Sequence, residues 1–102
     1  MTNPDALAEK VNEKLPGWEL INNTLHRKLS FKSASASLAF TNHIATIAEQ
    51  QQHHPSIFID GAQLQIELYT HYTGGITVKA FVLAKEIKTL IENYTYAMVH
   101  EK

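Results

Sequence analysis

The hydrophobic positions change period several times along the chain, and each change marks an element. Leu7, Val11 and Leu15 recur at helical spacing behind Asn3-Pro4-Asp5. Proline suits the first helical position and an acid there complements the helix dipole, so a first helix is predicted up to Pro16-Gly17. Trp18 to Ile21 and Leu25 to Phe31 read as two strands around an Asn22-Asn23-Thr24 turn. In the second strand Leu25, Leu29 and Phe31 share one parity while His26, Lys28 and Ser30 take the other, the pattern of a sheet with one buried face.

From Ser33 the period becomes helical: Ala36, Phe40, Ile44, Ile47 and Ala48 form one stripe of a helix that runs to about Gln52. His53-His54-Pro55 closes it, because the residue before a proline is pushed out of the helical region. Ile57 to Asp60 and Gln63 to Thr70 predict a second hairpin around Asp60-Gly61, with Leu64, Ile66 and Leu68 inward and Gln63, Gln65, Glu67 and Tyr69 outward. Gly74-Gly75 breaks the chain again, and Thr77 is placed to cap a last helix whose stripe is Ala80, Leu83, Ala84, Ile87 and Ile91. This order predicts one α+β domain over residues 1–102, a four-stranded antiparallel sheet with three helices on one face. The other face, with Phe58, Gln65, Glu67 and Tyr69, is mixed in character and suits either solvent or a sheet-to-sheet oligomer contact.

Composition narrows the function classes. With 102 residues, 44% of them hydrophobic and 19% charged, the chain suits one globular domain and lacks the signature of disorder. A formal net charge of -1 and a pI near 6.6 give no positive field to gather nucleic acid or an anionic membrane, so neither is an expected partner. Cysteine is absent, which removes disulfides, thiolate nucleophiles and cysteine-type zinc sites and fits a reducing cytoplasm. No segment approaches the roughly 20 apolar residues of a membrane span.

The candidate chemistry gathers where the long helix and the second hairpin end: Glu49, His53 and His54 from the first place, His71 from the second. If the helix persists, Glu49 and His53 lie on one face, where the carboxylate and the helix C-terminus would both favour the imidazolium. A histidine so placed can donate a proton to a leaving group and take it back. The plain alternative for adjacent histidines is a solvated helix end. No metal is expected: neighbouring residues rarely aim both rings at one ion, and no HExxH spacing is present. No GxSxG elbow exists for a serine nucleophile, and Gly74-Gly75 lacks the lysine and hydroxyl spacing of a P-loop. His26, His43 and His100 are given no role.

The string EQQQHHP from Glu49 to Pro55, followed sixteen residues later by His71 in YTHYTGGIT, resembles the pterin-4a-carbinolamine dehydratase family. Leu15-Pro16-Gly17-Trp18 resembles the approach to the family's first strand and Phe81 to Lys85 its final helix, so the likeness spans nearly the whole chain. The resemblance implies dehydration of 4a-hydroxytetrahydropterin to quinonoid dihydropterin, the step that recycles tetrahydrobiopterin after an aromatic amino acid hydroxylase has used it. His53, His54 and His71 would be the three active-site histidines, and Glu49 the carboxylate of the signature. His53 to Pro55 and Thr70, Tyr72 and Thr73 would line the pterin. No metal or organic cofactor is implied, and relatives form homodimers or homotetramers. Many members carry an aspartate where this chain has Ala80, and some a tryptophan where it has Ile57. The alternative is a member that binds a pterin or a protein partner without efficient turnover.

Overall fold

The computed structural model describes residues 11, 13–22, 24–69 and 78–99. The chain forms β1 (Glu19–Ile21), β2 (Thr24–Ser30), α1 (Ala34–Gln51), β3 (Ser56–Asp60), β4 (Gln63–Tyr69), α2 (Val78–Asn93) and a short 3-10 turn (Thr95–Ala97). The strands form one antiparallel sheet in the order β1-β2-β4-β3. The α+β class and the four-stranded antiparallel sheet are as expected. The count of three helices is corrected: two α-helices have defined bounds among the described residues, because most of the expected first helix lies outside them. Val11, Glu13 and Lys14 are helical, and Val11 and Leu15 are buried. The expected Thr77 cap and the Gly74-Gly75 break also lie outside the described residues.

Both hairpins close through two-residue loops. Ile21 pairs with Thr24, with Asn22 at φ +48, and Asp60 pairs with Gln63, with Gly61 at φ +58. Positive φ at these loops matches the right-handed twist of the strands they join, and asparagine and glycine adopt it at least cost. Strand parity then sets the layers. Leu25, Leu29, Leu64, Ile66 and Leu68 face inward and are buried, and they form one core with Phe40 and Ile44 of α1 and Leu83, Ala84 and Ile87 of α2. Phe58 and Tyr69 lie on the opposite parity, each 57% exposed, beside the half-buried Gln65 and Glu67.

Two details depart from the sequence expectation. The buried stripe of α1 is Ser37, Phe40, Ile44 and Ala48, so Ser37 replaces the half-buried Ala36 and Ile47 as a core position. β2 stops at Ser30, one residue early, because Phe31 is claimed by an isolated bridge to Met98. That bridge belongs to a C-terminal segment folded back onto the sheet. Lys32 N–H donates to Ala97 O at 2.8 Å and Val99 N–H to Ser30 O at 2.9 Å. Tyr94 ties the same segment to α1, packing edge-on against Phe40 and sharing a 2.6 Å hydrogen bond with His43 Nδ1.

Candidate active site

The end of α1 carries the paired histidines of the candidate site. Gln52 takes the left-handed conformation (φ 53, ψ 42); its N–H bonds back to Glu49 O at 3.2 Å, and His53 N–H bonds to Ala48 O at 3.0 Å. This pair of bonds is the Schellman arrangement, which satisfies the last carbonyls of a helix and turns the chain sharply away from its axis. Glycine normally fills the left-handed position, and glutamine there carries a local strain of roughly 1 kcal/mol. The turn places His53 and His54 in succession beyond the helix, and Pro55 biases His54 away from helical backbone as the chain leads into β3.

The two imidazoles occupy different environments. His54 is exposed, while His53 is half-buried with its Nδ1 removed from solvent and without a hydrogen-bond partner. A buried ring nitrogen left unpaired is costly, and such an atom in a native fold calls for an explanation such as an occupant of the adjoining space. Glu49 does not form the expected pair with His53. The helix ends at Gln51 and the chain reverses at Gln52, so i,i+4 geometry is lost, and Glu49 is exposed with no ion pair among the described residues.

The sheet borders the same corner. Ser56, which follows Pro55, is the register partner of Glu67, so the start of β3 lies beside the end of β4. Tyr69 is the last described residue of β4 and is exposed. Pro55 is half-buried at this corner. His71, Thr70, Tyr72 and Thr73 lie outside the described residues. Ala80, the position where the resemblance leads one to expect an aspartate, is fully buried near the start of α2.

Glu67 is a carboxylate that the sequence reading left on the outer face without a role. Its Oε2 accepts from Gln65 Nε2 at 2.7 Å and lies 3.5 Å from His26 Nδ1. The signal that would have found it is arithmetic: a two-residue loop after Asp60 puts Glu67 opposite Ser56, two residues beyond His54. Among the described residues no group of three or more His, Asp or Glu side chains is arranged to hold a metal ion. No described helix is long and apolar enough to cross a membrane.

A helix exit carrying paired histidines, set against the open end of an antiparallel hairpin, agrees with what comparison with known proteins finds. Residues 2–90 match the family described as Pterin 4 alpha carbinolamine dehydratase. The chain belongs to that family. A Thermomicrobium roseum protein named for the same family is 36% identical over 86 residues, covering 84% of this chain and 92% of its own length. The mitochondrial pterin-4-alpha-carbinolamine dehydratase 2 of Arabidopsis thaliana is 38% identical over 88 residues, covering 81% of this chain and 47% of the plant protein. Among solved structures, a transcriptional coactivator/pterin dehydratase from Brucella melitensis superposes with a TM-score of 0.76 at 23% identity, over 87% of this chain and 96% of that one. A pterin dehydratase-like protein identified as a RuBisCO assembly factor in the alpha-carboxysome has a TM-score of 0.64 at 19% identity, over 76% of this chain and 92% of that one. At these identities the two structures speak for the fold alone.

Proposed function

We infer that this chain is a 4a-hydroxytetrahydropterin dehydratase working by histidine acid–base catalysis. The substrate must lose hydroxide from C4a and a proton from N5, and the products are water and quinonoid dihydropterin. Hydroxide leaves poorly at neutral pH, so the reaction calls for a proton donor at that oxygen and an acceptor at the nitrogen. His53, His54 and His71 are assigned to these two tasks and to holding the ring. Glu49, Pro55, Thr70, Tyr72 and Thr73 are assigned to the pterin pocket. The observation that carries this reading is His53 Nδ1, buried and unpaired at the corner where the family's His-His-Pro motif leaves the helix. The reaction so written uses no metal or organic cofactor.

The test follows the decay of enzymatically generated 4a-hydroxytetrahydropterin with and without the protein, and repeats it with His54→Ala and His71→Ala. Acceleration by the wild type that both variants lose supports the reading; no acceleration by the wild type ends it. The second reading is a protein-partner role without efficient turnover. It is favoured by Ala80 at the position where the family resemblance places an aspartate. The same assay separates the two readings.

The protein is further assigned to the cytoplasm and to a homodimer or homotetramer, with the exposed Phe58 and Tyr69 on the open sheet face as apolar contact area. Size-exclusion with light scattering tests this, and a clean monomer contradicts it.

A further inference from the structure

The family match ends at residue 90, yet the chain continues in an ordered segment that folds against β2. Between that segment and β1 a stretch of the β2 edge is left uncovered. Pairing with β1 reaches only to Glu19↔His26, and pairing with the C-terminal segment begins at Ser30. The gap is a notch of about 570 Å³ whose walls include Arg27, Leu29, Ile91, Thr95, Met98 and Val99. Four of its nine lining residues, Ile91, Thr95, Met98 and Val99, lie beyond the family match. Its volume is in the range of small-molecule sites.

Arg27 gives the notch its chemistry. It has the same strand parity as Leu25 and Leu29, so its side chain starts on the core side of the sheet, the wrong place for a cation unless something compensates it. Its Nη1 donates to Pro16 O at 2.9 Å, which anchors the Pro16-Gly17 turn. Anchoring needs no more than that one bond. Nε is nevertheless buried with no partner, and no carboxylate lies within ion-pairing distance among the described residues. Burial lowers the guanidinium's pKa from its ordinary value, the mark of a charge short of solvation. A guanidinium with no carboxylate partner among the described residues, lining the notch beside Lys28, calls for an acceptor that carries negative charge. Leu29, Ile91 and Met98, all buried, and the half-exposed Val99 offer that acceptor an apolar body to lie against.

We propose that the notch binds a small organic carboxylate, its charge held by the Arg27 fork and its apolar tail lying against Leu29, Ile91 and Met98. This site is separate from the histidine corner and does not depend on the dehydratase reading.

The probe is hexanoate, titrated into the full chain by 1H–15N NMR, with hexanol and inorganic phosphate as controls. Saturable shifts centred on the amides of Leu29 and Val99 are expected, with hexanoate at least tenfold tighter than either control. Arg27→Gln should weaken hexanoate at least tenfold. Because Arg27 also anchors a turn, Thr95→Glu is the companion variant: Thr95 is exposed, so the fold tolerates the change, while the new carboxylate at the notch should weaken hexanoate at least fivefold. The proposal is overturned by the absence of saturable hexanoate binding, by hexanol or phosphate binding equally well, or by affinity unchanged in Thr95→Glu.

Discussion

The backbone N–H of His53 donates to the carbonyl of Ala48 across a left-handed Gln52, and this one bond decides where the paired histidines leave the helix. Glycine at position 52 should keep the turn and relieve its strain, so Gln52→Gly is expected to be neutral or stabilising by up to about 1 kcal/mol. Valine cannot adopt that conformation cheaply, and Gln52→Val should cost roughly 1–2 kcal/mol and lower dehydratase activity with it. Urea denaturation of the two variants checks both signs.

Ser37 is fully buried and its Oγ has no hydrogen-bond partner, an unpaired polar atom in the core stripe of α1. Removing it deletes a desolvation cost and leaves a gap of only one atom. Ser37→Ala should therefore stabilise the protein by about 1 kcal/mol, and a loss of stability of that size by denaturant titration would contradict the assignment.

Tyr94 joins the C-terminal segment to α1 in two ways, by its edge on Phe40 and by its hydroxyl on His43. Tyr94→Phe keeps the packing and loses the bond, and should cost about 0.5–1.5 kcal/mol. Tyr94→Ala removes both and should cost about 2–4 kcal/mol, less than a fully buried aromatic at the top of its range because Tyr94 is half-buried. Equal losses in thermal and urea unfolding would mean that the ring contributes nothing.

Gly17 sits at φ +91 with the Arg27 guanidinium where its Cβ would be. Gly17→Ala meets both backbone strain and a steric conflict, and should destabilise by about 2–3 kcal/mol. In the Arg27→Ala background the steric part vanishes, so the same substitution should cost only about 1–2 kcal/mol. A double-mutant cycle with no coupling would remove the close approach from the account.

Much of the scaffold was legible in the sequence. The end of α1 followed from His53-His54-Pro55, the second hairpin from the glycine after Asp60, and the sheet's two faces from the alternation of Leu64, Ile66 and Leu68 with Gln65, Glu67 and Tyr69. What escaped has physical reasons. A glutamine in the left-handed region leaves no mark in composition, so the Schellman turn and the loss of the Glu49–His53 geometry were invisible. Arg27 breaks the parity rule on a strand that otherwise obeys it, and a long side chain that curls back to Pro16 O conceals the conflict. The C-terminal segment has neither helical nor strand periodicity; partners distant in sequence, Ser30, Phe31, Lys32, Phe40 and His43, hold it in place. The paired histidines at the helix exit were picked out by motif, while the approach of Glu67 to His26 needed the strand register.

The claim that histidine acid–base chemistry acts at the corner where α1 meets β3 is tested most directly by the single-turnover rate of 4a-hydroxytetrahydropterin dehydration in His53→Ala. The account predicts a rate on the order of 10²- to 10⁴-fold below wild type, with an unfolding midpoint no lower than that of the parent. A variant that dehydrates the pterin at the wild-type rate would contradict it.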